Sequence, residues 1–237
     1  MTYPPLQQPT RPTHIPAYAD VCLQALVEHN LGYKLSLGGA FALLHYLDYR
    51  STYDVDAWWH LATTTQEKRQ VIEAIEQALG QYGPVRRRSF GDVVSIELAT
   101  EQKKKAFSFQ IAERSAQLQP SVSAQWIDVS LDSFSDLLAS KMTALVQRGA
   151  PRDFRDIYAI CQAGLATPRH CWQLWQQRQP LTGDDGDFER AKVAINSHLE
   201  RIEQYRPLST IADQEQYQQA ARVRIWYRTE FLHERLA

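Results

Sequence analysis

The sequence predicts a mixed α/β (α+β) fold, in which a small mixed β-sheet core is followed by a helical C-terminal region. Up to residue 132, apolar runs of strand length alternate with amphipathic stretches of helical length. Beyond Ser133, the apolar residues keep helical spacing. With 237 residues, 44% of them apolar, the chain is long enough to bury a core in one large domain or two small ones.

The N-terminal part combines helices and strands. A threonine run before residue 65 is able to cap a helix that Gly80 closes. The polar stretch TEQKKK separates two apolar runs, which is typical of an antiparallel hairpin. The predicted elements, in order, are a helix over 18–29, a strand over 33–37, a short helix over 41–47, a strand over 53–61, a helix over 65–79, strands over 93–99 and 106–112, and a strand over 126–131.

The C-terminal part is predicted to be helical. Gly149 is a natural residue to end one helix, and Pro151 is able to open the next. The predicted helices cover 134–148, 151–164, 170–178, 188–204 and 214–233, and the acidic stretch 181–187 is the best candidate linker. We therefore expect an extended, proline-rich arm over 1–16, an α/β core over 17–132 and a helical region over 133–237.

Composition excludes several classes of protein. A net charge of −1 gives no global signature of nucleic-acid binding, so any basic surface must be local. The chain has no long uninterrupted apolar run and no secretory signal, so we expect no membrane span. Three cysteines without metal-like or disulfide-like spacing suit a reducing cytosol, which predicts a cytoplasmic location.

The strongest chemical signal is a pair of carboxylates in the predicted strand 53–61. Asp54 and Asp56 are two residues apart, so their side chains point to the same face of a strand. Carboxylates on one face repel unless a cation lies between them, and oxygen ligands suit Mg²⁺ or Mn²⁺. The spacing therefore predicts a metal site.

A Gly-Gly pair precedes this strand. Gly38 and Gly39 follow an apolar run and come directly before a predicted short helix. Glycine lets a backbone approach a ligand closely, and N–H groups at the start of a helix favour phosphate. A phosphate cradle beside metal-binding carboxylates indicates nucleotide chemistry.

A second constellation lies between Lys141 and Ile160. Lys141 and Arg148 are seven residues apart and share a helical face, while Asp153 and Asp156 share a face of the following helix. These charges suit a triphosphate and its metal, with Lys as a point charge and Arg as a bidentate fork. The alternative is a solvated face with local ion pairs, each contributing about 0.3–0.5 kcal/mol.

Together these two segments resemble the AbiEii-like nucleotidyltransferases. This family comprises the toxins of type IV toxin–antitoxin systems, within the polymerase-β-like nucleotidyltransferase superfamily. Its first motif is a Gly-Gly or Gly-Ser turn followed by Arg-x-Thr-x-Asp-(aliphatic)-Asp, and its second is Lys-x-x-Ala, an Arg and then (Lys/Arg)-Asp-x-x-Asp. The matching residues are Gly38, Gly39, Arg50, Thr52, Asp54 and Asp56, then Lys141, Ala144, Arg148, Arg152, Asp153 and Asp156.

The resemblance implies a role for each of these residues. Asp54 and Asp56 would hold the metal, and Lys141, Asp153 and Asp156 would complete the catalytic set. The implied nucleotide-binding residues are Gly38, Gly39, Arg50, Ser51, Thr52, Lys141, Arg148 and Arg152. For Ser51 and Thr52, a phosphate contact and a simple turn cap are equally good interpretations. The implied reaction moves a nucleoside monophosphate from an NTP to a hydroxyl of RNA, such as a tRNA end, or of a protein. An antitoxin is the implied protein partner.

One position departs from the superfamily pattern. A third acid usually lies on a neighbouring strand, and the matching residue here is Gln110, which cannot accept a proton. Glu97 and Glu113 are candidate substitutes. The rival hypothesis is therefore a catalytically weak nucleotide-binding protein that acts through a protein partner. A structural domain without a ligand is a third hypothesis, opposed by the two same-face aspartates.

Smaller signals favour ordinary structure. The basic runs 86–88 and 103–105 are typical of solvated turns, with RNA contact as the alternative. His45 lies on a short apolar helix and is predicted to be structural rather than a base. Trp58 and Trp59 are adjacent on the predicted strand, so one of them faces away from the core.

Overall fold

The computed structural model describes residues 8–235. These residues form two compact units, divided between Leu137 and Leu138. Residues 1–7 of the predicted N-terminal arm lie outside the described part of the chain. The rest of the arm contacts the N-terminal unit, because the Thr10 N–H donates to the His45 carbonyl at 2.8 Å.

The N-terminal unit is the predicted mixture of helices and strands. Its elements are α1 (Ala17–Glu28), β1 (Leu35–Gly38), α2 (Gly39–Leu43), β2 (Asp54–Trp59), α3 (Thr65–Gly80), β3 (Val85–Phe90), β4 (Val93–Leu98), β5 (Phe107–Ala112), β6 (Val122–Ser123) and β7 (Ser130–Leu131). The α3 helix begins with a capping box, in which Thr64 and Glu67 satisfy each other's backbone N–H groups.

The seven described strands form one mixed sheet in the order β3-β4-β5-β2-β1-β7-β6. β2 runs parallel to β5, β1 runs parallel to β7, and the remaining pairs are antiparallel. Alternate residues of the central strands, such as Leu37, Val55 and Phe109, are fully buried in the main core with Leu23 of α1 and Ile75 of α3. The predicted small mixed sheet is confirmed.

Two strand predictions need correction. Residues 85–90, whose arginines suggested a turn, form β3 and pair with β4 over their whole length. The predicted strand over 126–131 is wrong except for its last two residues. Gln125 has a φ of 66°, and the N–H groups of Trp126 and Val129 donate to carbonyls two residues earlier, so the chain turns there instead of extending.

The C-terminal unit is helical. Its elements are α4 (Phe134–Gln147, which begins in the N-terminal unit), α5 (Pro151–Gln162), α6 (Pro168–Thr182), α7 (Phe188–Tyr205) and α8 (Gln214–Thr229), with 3₁₀ turns at Leu208–Thr210 and Phe231–His233. The predicted last helix over 214–233 is thus divided into α8 and a 3₁₀ turn. Within residues 8–235, no helix is both long enough and apolar enough to cross a membrane.

Aromatic side chains form the core of this helical unit. Trp172, Tyr227 and Phe231 are fully buried, and the Phe231 ring packs at a tilt against the other two, with centroids 5.2 Å apart for Trp172–Phe231 and 4.9 Å apart for Tyr227–Phe231. Both polar groups of these rings are satisfied: the Tyr227 hydroxyl donates to the Phe154 carbonyl at 3.1 Å, and the Trp172 Nε1–H donates to the Phe231 carbonyl at 3.4 Å. Helices α5, α6 and α8 are therefore joined by ring packing.

Gly149 links α4 to α5 and has no room for a side chain. Its φ is +50°, and a Cβ there would lie 2.4 Å from the His198 ring. That ring is held by a hydrogen bond from its Nε2 to the Val146 carbonyl at 3.0 Å. Gly164 after α5 has a similar φ of +70° but no atom within 4 Å of an added Cβ.

Gly149→Ala is expected to destabilise the protein more than Gly164→Ala. Both variants force alanine into a left-handed conformation, at a cost of about 1 kcal/mol. Only Gly149→Ala also displaces His198, which adds about 1–3 kcal/mol of overpacking. Urea unfolding of both variants measures the difference. Equal loss of stability would contradict the contact with His198.

Candidate functional site

The Asp54 and Asp56 side chains lie on the face of the sheet opposite the main core. In β2, Val55, Ala57 and Trp59 are buried while Asp54, Asp56 and Trp58 are half-buried. The strand is therefore regular, and its two carboxylates do share a face. As predicted, one of the paired tryptophans, Trp58, points away from the core.

The neighbouring strands place neutral residues beside the two acids. Ser108 of β5 pairs with Asp54, and Gln110 of β5 pairs with Asp56. On the other side of β2, Gly38 pairs with Asp56. Residues that pair directly point to the same face. This face of the sheet therefore carries two carboxylates, a serine hydroxyl and an amide, each of which has an oxygen atom.

Thr52 orients one of the carboxylates. Its hydroxyl donates to Asp54 Oδ1 at 2.5 Å, and its side chain is buried. Ser51 is exposed, and its carbonyl accepts a hydrogen bond from the Arg50 guanidinium at 3.2 Å. Thr52 therefore acts on the acid pair in this structure, while Arg50 and Ser51 lie on the segment that leads into β2.

The Gly-Gly pair is required by the side chains of β2. A Cβ on Gly38 would lie 2.4 Å from Trp58 Nε1. A Cβ on Gly39 would lie 2.1 Å from Asp56 Oδ2, and Gly39 has a φ of +60°. The bare backbone of this turn thus lets Asp56 and Trp58 pack directly against it. Helix α2 begins at Gly39 itself, two residues earlier than predicted.

His45 follows α2 and is fully buried. Its ring lies edge-on to Phe41, with centroids 5.5 Å apart, and stacks on Trp126. Burial lowers the pKa of His45 to about 4. A histidine that stays neutral and packed among aromatic rings is a structural residue.

Neither substitute for the third acid is beside Asp54 and Asp56. Glu97 forms ion pairs with Arg88 at 3.2 Å and Lys105 at 3.3 Å, and Glu113 forms one with Lys68 at 2.5 Å. Over residues 8–235, no group of three or more His, Cys, Asp or Glu side chains is arranged to hold a metal ion. On this face Gln110 pairs in turn with Ser95, and Glu97 lies one strand beyond Ser108, which separates it from Asp54.

The second motif lies in the helical unit and pairs its own charges. Lys141 Nζ of α4 lies 2.6 Å from Asp156 Oδ2 of α5, and the Asp156 side chain is 0% exposed. Lys141 itself is buried. A buried carboxylate with a lysine at this distance is a desolvated ion pair and not part of a solvated face.

The second ion pair of this motif closes the turn between α4 and α5. The Arg148 guanidinium donates to both carboxylate oxygens of Asp153, at 2.8 and 2.9 Å. Asp153 Oδ2 also accepts from the Ala150 N–H at 3.0 Å, at the first turn of α5. Asp153 is fully buried, whereas Arg152 is exposed. Asp153 therefore fixes the start of α5.

Three buried polar residues near the Gly-Gly turn had no signal in the sequence. Ser36, Arg114 and Asp132 form a hydrogen-bonded ion-pair network in the N-terminal unit. They are separated by 78 and 96 residues along the chain, and none belongs to a recognisable spacing pattern. Only the alternation of β1, which places Ser36 on the same face as Gly38, hints at their position.

Comparison with protein families decides the assignment that these motifs suggest. The model of the nucleotidyl transferase AbiEii toxin family, of type IV toxin–antitoxin systems, matches residues 21–223. The chain belongs to the AbiEii family. The resemblance drawn from the two motifs is therefore confirmed, and the match covers both units of this AbiEii-family protein. Comparison with curated protein sequences finds no match.

Several solved structures share similarity with this AbiEii-family chain. JHP933 from Helicobacter pylori is 16% identical, with 90% of each chain covered and a TM-score of 0.47. The antibiotic-resistance factor ANT(2'')-Ia is 15% identical over 79% of this chain and 92% of that chain, with a TM-score of 0.47. An antigenic nucleotidyltransferase-like protein from Paracoccidioides brasiliensis is 16% identical over 80% and 88% of the two chains, with a TM-score of 0.43.

The buried pair Lys141–Asp156 is expected to show strong energetic coupling in a double-mutant cycle. Lys141→Met or Asp156→Leu alone leaves one buried charge unpaired, at about 3–5 kcal/mol each. The double variant removes both charges and is expected to cost less than the sum. Urea unfolding measures the cycle. The exposed pair Arg169–Glu234 is the control and is expected to couple by less than about 1 kcal/mol. Additive effects at Lys141 and Asp156 would contradict the pairing.

Proposed function

We propose that this chain transfers a nucleoside monophosphate from an NTP to an acceptor hydroxyl, as the toxin component of a type IV toxin–antitoxin system. The observation that carries this proposal is the placement of Asp54 and Asp56 beside the Gly38-Gly39 turn. In a chain of the AbiEii family, these are the residues expected to hold a metal and a triphosphate. Like charges on one strand face have little structural value without a ligand.

The donor set fits a hard divalent cation. Two carboxylates and the Gln110 side chain lie on one face of the sheet, and Mg²⁺ and Mn²⁺ prefer oxygen ligands. Mg²⁺ commonly binds through one or two carboxylates and completes its shell with water and substrate phosphates. When bound, the cation would neutralise negative charge on the phosphates. Asp54 and Asp56 would hold it, with Thr52 fixing the Asp54 carboxylate.

The protein's own residues would mainly bind and orient the nucleotide. The Gly38-Gly39 turn would seat the triphosphate with Arg50 and Ser51 nearby. Within the helical unit, membership of the family implies phosphate contacts for Lys141, Arg148 and Arg152, and Asp156 and Asp153 would hold Lys141 and Arg148 in fixed orientations through their ion pairs. The acceptor hydroxyl would attack the α-phosphate in line, forming the new P–O bond as the bond to pyrophosphate breaks. Catalysis of this kind depends on positioning.

The proposed acceptor and partner rest on membership of the AbiEii family. We propose RNA, such as a tRNA end, or a protein hydroxyl as acceptor, and an antitoxin protein as partner. The proposed location is the cytoplasm. The identity of the NTP depends on the shape of the base pocket.

An Asp54→Ala/Asp56→Ala variant is expected to lose transfer activity. The wild-type chain, incubated with Mg²⁺ and each α-³²P nucleoside triphosphate, should label either RNA or protein in a cell extract. Removing both carboxylates should lower labelling at least about 100-fold, because the metal and the triphosphate lose their common anchor. Labelling that persists in the double variant would contradict the assigned site.

Glu97→Gln is the matched control for this experiment. It removes an acid from the same sheet, but one that pairs with Arg88 and Lys105. Its labelling is expected to stay within about twofold of wild type, since it breaks only partly exposed ion pairs. A loss comparable to that of the aspartate variant would instead identify Glu97 as the third acid.

The second candidate function is nucleotide binding without efficient transfer. The pairing of Gln110 with Asp56 favours it, because a neutral amide lies where the superfamily usually has an acid. This candidate predicts Mg²⁺-dependent nucleotide binding that Asp54→Ala abolishes, with no labelled product from any of the four nucleotides. The chain would then act through its protein partner.

Gln110→Asp is expected to strengthen the metal site. A third carboxylate on this face of the sheet should lower the Mg²⁺ concentration needed for nucleotide binding by about tenfold, because ligand charge sets affinity for hard cations. Gln110→Asn, which is also neutral, is the control. A Mg²⁺ titration followed by nucleotide-binding calorimetry measures both. An unchanged Mg²⁺ requirement in Gln110→Asp would show that Gln110 does not limit the site.

A further inference from the structure

We propose that Ser36, Arg114 and Asp132 are positioning residues that hold the Gly38-Gly39 turn in register with Asp56. We call this set the turn-anchoring network. The inference rests on the proposed function, because its purpose is to keep the triphosphate seat aligned with the metal carboxylates. None of the three residues belongs to either sequence motif.

The turn-anchoring network is compact and almost fully removed from water. Ser36 Oγ donates to Asp132 Oδ1 at 2.7 Å, and Arg114 Nη2 donates to the same oxygen at 2.5 Å. Arg114 also donates to Ser36 Oγ. The side chains of Arg114 and Asp132 are 6% and 2% exposed. A single carboxylate oxygen thus joins β1 to the segments that follow β5 and β7.

The network reaches the Gly-Gly turn through Asp132. The Asp132 N–H donates to the Leu37 carbonyl at 2.8 Å, immediately before Gly38. Asp132 Oδ2 lies 3.4 Å from the position that a Cβ on Gly38 would occupy, and Trp58 Nε1 lies 2.4 Å from that position. The side chains of Asp132 and Trp58 therefore both occupy the space that a side chain on Gly38 would need.

The energetics argue against a purely stabilising role. Burial raises the pKa of Asp132 even though Arg114 and Ser36 lower it, so desolvation of the carboxylate outweighs its partners. The Nε–H of Arg114 is buried and has no acceptor within the described residues. A protein in which apolar residues of similar volume replace such a buried ion pair is often at least as stable. The directional hydrogen bonds from Ser36 and Arg114 to one Asp132 oxygen hold Asp132 in a fixed position beside the turn.

The turn and the acid pair form a single unit through strand pairing. Gly38 pairs with Asp56, and the space over Gly39 is filled by the Asp56 carboxylate. Loss of the hydrogen bonds to Asp132 would therefore change the distance between the Gly38-Gly39 turn and the carboxylates of Asp54 and Asp56. A misplacement of about 1 Å in such a site can cost about 100-fold in rate. The network would act through Gly38, without touching the substrate.

The test compares two buried serine-to-aspartate hydrogen bonds in the same unit. Ser36→Ala removes the bond to Asp132, and Ser133→Ala removes the bond from Ser133 Oγ to Asp136 Oδ2 at 2.6 Å. Thermal melting is expected to show a comparable loss of stability for the two variants. Only Ser36→Ala should raise the nucleotide Kd and KM, by about tenfold, while the KM for the acceptor is unchanged. Ser36→Thr, which keeps the hydroxyl, should restore nucleotide binding.

Asp132→Asn and Asp136→Asn repeat the comparison if Ser36→Ala does not fold. Both remove a buried negative charge of the same unit, and only the first touches the turn. The same nucleotide affinity in Ser36→Ala as in Ser133→Ala, or in Asp132→Asn as in Asp136→Asn, would overturn the inference. NTP binding by the wild-type chain with Mg²⁺ is measured first, and its absence would overturn the proposed function itself. Failure of the proposed function is thus distinguished from failure of the inference about the turn-anchoring network.

Discussion

The repulsion between two carboxylates on one face of β2 is the constraint around which the N-terminal unit is organised. Asp54 and Asp56 project from the sheet at successive pairing positions, and every neighbour accommodates them. Thr52 donates a hydrogen bond to Asp54, and the strands on either side present serine, glutamine and glycine at the paired positions. The Gly38-Gly39 turn leaves its Cβ positions to Trp58 and Asp56. The acidic pair is therefore bordered by small or neutral residues on both neighbouring strands.

The helical unit contains a second acidic pair whose charges are balanced differently. Asp153 and Asp156 are fully buried, and each has a cation within hydrogen-bonding distance: Arg148, which directly follows α4, and Lys141 of α4. The AbiEii motif therefore has a structural role here whatever its role toward a nucleotide: it fixes α5 against α4. A substitution in this motif changes both folding and the orientation of Lys141. Stability measurements are consequently needed beside any activity measurement at these positions.

Periodicity and turn residues were sufficient to predict the helices and central strands, because each of these elements buries a regular apolar face. The site motifs were equally local, since Gly38-Gly39 and Asp54-Val55-Asp56 are short runs. β3 was missed because its three arginines interrupt the expected alternation, and its pairing with β4 overrides local propensity. The Ser36–Arg114–Asp132 contacts join residues up to 96 positions apart, so only tertiary structure reveals them.

The arginines of β3 also bear on how this protein avoids self-association. β3 is the last strand at one end of the described sheet, so one side of its backbone has no strand partner there. Such an edge is a template on which a second chain can add a strand and start aggregation. Two copies meeting along β3 would bring Arg86, Arg87 and Arg88 of one chain against the same three of the other. Charged side chains along an edge strand disfavour such an addition, so the three arginines would hinder strand pairing at this margin of the sheet.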